Sequence, residues 1–127
     1  YAAADARYVG PCFEVLSCLR APLGVYGVLG NHDYLHGVSE SHAGFRSSRV
    51  MELTNAGVWL ERGSQRLRLS GVDDPWYGET RLGSALGDAR PDDACVLVSH
   101  NPDVAENLRD GRVGLVLSGH THGGQLQ

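Results

Sequence analysis

Three apolar runs in this chain stop at the same kind of place. Leu23 to Gly30 ends at Asn31-His32-Asp33, Ala94 to Ser99 ends at His100, and Val113 to Leu117 empties into Ser118-Gly119-His120-Thr121-His122-Gly123-Gly124. Runs of this length without alternating polar residues read as strands covered on both faces, the habit of parallel sheets in α/β proteins. In such sheets ligands gather outside the carboxyl ends of the strands, because rigid strands aim their loops at a shared crevice. Four of the six histidines stand at these three ends. The pattern therefore predicts an α/β fold with one convergent site.

The segments between the runs supply the other elements. Pro11 suits the first turn of a helix, where its missing N–H has no partner to lose, and Phe13, Leu16 and Leu19 mark one face before Ala21-Pro22 ends it. From His42 to Ala56 the spacing of Phe45, Val50 and Leu53 predicts a second helix, closed by Gly57. Val58 to Leu60 and Gln65 to Val72 read as strands, and the second alternates Arg66, Leu67, Arg68 and Leu69 as a half-exposed strand does. Asp73 to Tyr77 reads as a turn. Asn101-Pro102 opens a helix through Asp103 to Leu108.

Composition narrows the class. The 127 residues carry 11 arginines and no lysine against 15 acidic residues, and 42% are apolar. This is one domain's worth of ordinary globular chain, which excludes disorder, collagen and coiled coil. A net charge of −4 with scattered arginines offers no basic stripe, which argues against nucleic acid as the main partner. No apolar run reaches the roughly 18 residues that a membrane span needs. Cys12, Cys18 and Cys95 form no CxxC and read as small core residues.

The residue types at the strand ends say what the site would hold. Neutral imidazoles and an amide oxygen suit a divalent transition metal, Mn, Fe or Zn, better than Ca. His120 and His122 are two apart, so in an extended segment they would point the same way and grip one metal or straddle two. Taken singly, each histidine reads as structural or exposed; the three ends together reverse that reading.

The motifs Gly30-Asn31-His32-Asp33, Ser99-His100 and Gly119-His120-Thr121-His122, in that order, resemble those of the calcineurin-like metallophosphoesterases. The longer forms, Val28 to Tyr34 and Gly119 to Gln125, resemble a bacterial branch that includes UDP-diacylglucosamine pyrophosphatase-like and membrane-associated phosphoesterases. The resemblance implies an α/β/β/α sandwich and two divalent metal ions. Asn31, His100 and His120 would bind one ion, and His122 would help bind the other. His32 would be the acid near the leaving-group oxygen, with Asp33 holding its ring. The family's upstream Asp-x-His and Gly-Asp motifs are not found here, and Asp5-Ala6-Arg7-Tyr8-Val9 resembles the stretch just downstream of the Gly-Asp motif. Residues 1–127 are thus expected to be a single incomplete domain of a longer enzyme, cytoplasmic or membrane-associated.

The expected substrate is a phosphorylated small molecule or lipid-linked phosphoester. The alternatives are a nuclease of the same superfamily, against which the acidic charge argues, and a non-catalytic binding module on the same fold. His36 and His42 read as solvated loop residues outside the site. Trp76 and Tyr77 flank the Asp73-Asp74-Pro75 turn, where stacking on a substrate ring and simple packing are both open.

Overall fold

A computed structural model describes residues 5–124. After a short turn at Ala6–Tyr8 come helix α1 (Val9–Leu16), strand β1 (Val25–Gly27), helices α2 (Asn31–His36) and α3 (Val38–Ser47), and strand β2 (Val50–Glu52). Strands β3 (Ala56–Arg62) and β4 (Gln65–Gly71), helix α4 (Leu82–Leu86), strand β5 (Cys95–Ser99), helix α5 (Asp103–Asn107) and strand β6 (Leu115–Ser118) complete the order. The architecture is mixed α/β, with parallel and antiparallel pairings as the strand pattern leads one to expect.

β1 and β2 pair in parallel, Val25 opposite Val50. Over them pack α1 and α3, through a core of Val9, Phe13, Leu29, Phe45 and Val50 in which the Phe13 and Phe45 rings meet edge to face at 4.9 Å. The larger sheet has the order β3-β4-β5-β6. β3 and β4 form a hairpin whose two-residue turn places Gly63 at φ +62, a left-handed geometry that glycine adopts without strain. β4, β5 and β6 run parallel, with Gly71 opposite Val98 and Ser99 opposite Ser118, so their carboxyl ends lie side by side. Val72, Ala85 and Leu97 are buried on one face of this sheet.

Several sequence expectations are corrected here. The first helix stops at Leu16, which leaves Cys18 exposed and Cys12 half-buried; Cys95 alone of the three is buried. The second predicted helix ends at Ser47, because Val50 belongs to a strand paired with β1. Asn31, His32, Asp33 and His36 lie on a helix and not on a loop, and His42 lies on α3, where its Nδ1 is 3.0 Å from Glu52 Oε2. Helix α4 carries no stripe long enough to announce it.

Two strands depart from the burial that the pattern predicts. On β4 Leu67 and Leu69 are only half-buried, whereas Arg68 is buried and donates to the Ala85 carbonyl near the end of α4, where unpaired carbonyls favour a cation. Arg66 stacks over the Trp59 ring at 4.1 Å and bridges to Asp93 at 2.7 Å. β6 is an edge strand with Leu115 and Leu117 about half exposed, since nothing among the described residues covers its outer side. No helix among the described residues is long and apolar enough to cross a membrane.

Candidate metal centre

The three strand ends do converge. His100 comes directly after β5, and its Nε2 lies 2.9 Å from Asn31 Oδ1, at the first turn of α2, and 3.3 Å from His120 Nδ1, just beyond β6. The Ser99–Ser118 register puts His100 beside Gly119, whose N–H donates to the His100 carbonyl at 3.1 Å and fixes the approach of His120. The two imidazoles meet edge to face at 5.1 Å. Burial pushes the pKa of His100 down and the neighbouring His120 adds to this, so the neutral, lone-pair-bearing imidazole is the favoured form.

Gly30 makes the approach of α2 possible. A Cβ there would stand 2.6 Å from the His100 ring, closer than real Cβ contacts come. The helix it precedes is capped by Asp33, whose Oδ2 accepts from the Gly30 N–H at 2.8 Å while Oδ1 accepts from the Ser41 hydroxyl at 2.6 Å. Asp33 is buried with both oxygens engaged this way. The structure therefore does not bring Asp33 to the ring of His32, because consecutive helical residues point apart. It is an anchor for α2. Among the described residues the buried Nδ1 atom of His32 has no hydrogen-bond partner, and its ring lies 5.4 Å from that of His36.

His122 is exposed and makes no hydrogen bond or ring contact with His100 or His120 among the described residues. The segment is not extended. His120 and His122 both sit at positive φ, +66 and +50, and Gly123 and Gly124 continue the left-handed path. Two histidines in that region store strain of a kind that concentrates at functional sites.

The donor set fits a metal ion. Among the described residues no three His, Cys, Asp or Glu side chains are grouped to hold one; the trio consists of two imidazoles and an amide. Two nitrogens bound at about 2.0–2.1 Å to a tetrahedral ion stand roughly 3.4 Å apart, and the His100–His120 separation is 3.3 Å. Asn31 Oδ1, His100 Nε2 and His120 Nδ1 are thus close enough together to serve one ion.

Sequence reasoning missed the part played by Asp73 and Asp74 at the end of β4. They do form the expected turn: Asp74 Oδ1 accepts from the N–H groups of Trp76 and Tyr77, at 2.9 and 3.3 Å. Both carboxylates are buried, and Asp74 Oδ2 has no hydrogen-bond partner among the described residues. This turn sets the Trp76 indole edge to face against His120, with ring centroids 4.8 Å apart. Only the position of Asp-Asp-Pro directly after a strand hinted at this.

Residues 8–124 match the family described as Calcineurin-like phosphoesterase, and the chain belongs to it. The Caenorhabditis elegans protein F40B5.2, named for this family, is 37% identical over 127 residues, covering 89% of this chain and 26% of its own. The phosphodiesterase YaeI of Escherichia coli is 32% identical over 90% of this chain and 42% of its own length. A transmembrane protein with metallophosphoesterase domain from Bos taurus is 36% identical over 96% of this chain and 31% of its own. The chain thus spans less than half the length of these relatives, which come from animals as well as bacteria. No solved structure matches it.

Proposed function

We infer that this chain carries the downstream half of the centre of a metal-dependent phosphoester hydrolase. The observation that carries the reading is the meeting of Asn31 Oδ1, His100 Nε2 and His120 Nδ1 at 2.9 and 3.3 Å, from three separate strand ends, in a chain of a phosphoesterase family. Asn31, His100 and His120 would hold one divalent ion, Mn, Fe or Zn, and His122 would contribute to a second. The missing ligands would come from Asp-x-His and Gly-Asp motifs upstream, in a longer protein of which residues 1–127 form one incomplete domain. When bound, such a pair of ions neutralises the phosphate, acidifies a water and steadies in-line displacement.

The chain's own residues complete the chemistry. His32, next to Asn31 on the first turn of α2, would hold a proton for the departing oxygen. Its buried Nδ1 has no hydrogen-bond partner among the described residues. Asp33 would keep α2, and so both Asn31 and His32, in place. The acidic chain favours a phosphorylated small molecule or a lipid-linked phosphoester over nucleic acid. The likeness to a bovine protein named as transmembrane supports a membrane-associated longer protein, and the motifs support the pyrophosphatase-like branch.

The test is metal content and hydrolysis of bis-p-nitrophenyl phosphate by the longer protein, with and without added Mn. Metal-dependent turnover is expected. A folded protein with neither metal nor turnover would overturn the reading in favour of a binding module.

A further inference from the structure

Beside the centre, on the far side of Trp76, lies a cavity of about 410 Å³ between the turn after β4 and helix α5. Its apolar walls are Pro75, Trp76, Leu82, Val104 and Leu108. A volume of this order is that of a small-molecule site, and a mostly apolar wall with few polar groups is its usual composition. Trp76 belongs to both places: its ring lies 4.8 Å from that of His120 and it also walls the cavity.

Trp76 is more than half exposed, although it stands in a turn that buried groups hold rigid. Asp74, fully buried, accepts from its N–H at 2.9 Å; Asp73 accepts from the N–H groups of Asp74 and Glu79 and from the Tyr34 hydroxyl. A large indole on a backbone held in this way, uncovered among the described residues, is a surface prepared for contact. The polar groups at the cavity argue about charge. Asp103 and Arg109 offset one another, and Arg109 Nη1 already donates to the carbonyls of Glu106 and Leu108 at 3.0 Å each. No net positive charge awaits a second phosphate there.

We propose that this cavity is a specificity pocket for the organic part of the substrate, and that it takes an uncharged aromatic ring carried on the phosphate. The proposal rests on the phosphoesterase reading above. With the phosphate at the histidines, the ester substituent crosses the edge of Trp76 and stacks between the indole and the side chains of Val104 and Leu108. A methyl ester reaches no such wall. The pocket thus selects aryl over small alkyl phosphoesters, while the histidines treat both alike.

The experiment uses the longer protein with Mn and two substrates that share a leaving group, bis-p-nitrophenyl phosphate and methyl p-nitrophenyl phosphate. In Val104→Asp, which puts a charge in the pocket without touching a histidine, the ratio of kcat/KM for the diaryl over the methyl ester should fall by roughly tenfold, chiefly through KM. Trp76→Ala should lower the same ratio. A second readout needs no turnover: phenylphosphonate should shift the Trp76 indole N–H signal in a 15N–1H spectrum, identified by its loss in Trp76→Phe, and methylphosphonate should not. An unchanged ratio in both variants, or equal shifts with the two phosphonates, overturns the pocket while leaving the hydrolase reading standing. Absence of turnover on both substrates would strike the hydrolase reading instead, and the phosphonate shifts would still decide the pocket.

Discussion

The Tyr34 hydroxyl donates to Asp73 Oδ1 at 2.7 Å, tying helix α2 to the turn after β4 across 39 residues of sequence. Burial, then the hydrogen bond to Asp73, pushes the phenol well above its ordinary range. It therefore remains a donor at every pH at which the protein would work. The bond joins the helix of Asn31 and His32 to the turn of Trp76.

Tyr34→Phe removes that donor and leaves a buried carboxylate with only backbone partners. A hydrogen bond to a charged group is worth about 1.5–3 kcal/mol, so urea unfolding should show a loss within this range. An unchanged midpoint would mean that water replaces the hydroxyl at no cost.

Gly30→Ala should be more harmful than its size suggests. The added methyl would lie 2.6 Å from the His100 ring, and the strain of such overpacking is typically about 1–3 kcal/mol. The ring must also turn away from Asn31, so Zn affinity by calorimetry should drop along with stability. Full affinity in the variant would show that His100 is not held by α2.

His120→Ala and His122→Ala should differ. Since His120 is already in contact with His100 and His122 is not, the first should abolish binding of the tighter ion in the longer protein. The second should spare that ion and weaken only the other. Metal counting by mass spectrometry on both variants distinguishes them, and identical losses would refute the assignment.

His32→Ala should leave metal content close to the parent's while turnover falls by roughly 10²–10⁴-fold, the usual contribution of a general acid. Parallel loss of metal and turnover would make His32 a ligand or a structural residue.

Asp110 supplies a pH dependence of stability. Its carboxyl is pushed down from 3.8 to about 2 by the Arg112 side chain and then by the Arg112 N–H. The unfolded chain therefore binds this proton first as pH falls. The stabilisation is present above about pH 4 and is lost toward pH 2. Melting curves of the parent and Asp110→Asn should differ at pH 5 and converge as the pH falls through about 2.

Much of the fold and the centre was legible in the residues. The three motif-bearing strand ends, and the meeting of Asn31, His100 and His120, arise from apolar runs that stop at histidines. Contacts between distant segments were not legible. Tyr34 finds Asp73, and Ser41 finds Asp33, only once α2 and α3 are packed, and no local periodicity encodes such partners. Arg68 misled because alternation tells which residues share a face but not which face is covered; the carbonyls ending α4 decided that. The left-handed turn at His120 and His122 was not legible either, because spacing says nothing of φ.

The uncovered outer side of β6 governs how the chain behaves at the bench. Leu115 and Leu117 flank a row of backbone donors and acceptors with no neighbouring strand among the described residues, and an open apolar edge of this kind recruits strands from other molecules. In concentrated solution, self-association would begin there and not at the histidines, and a lysine in place of Leu117 is the change that would keep the chain dispersed.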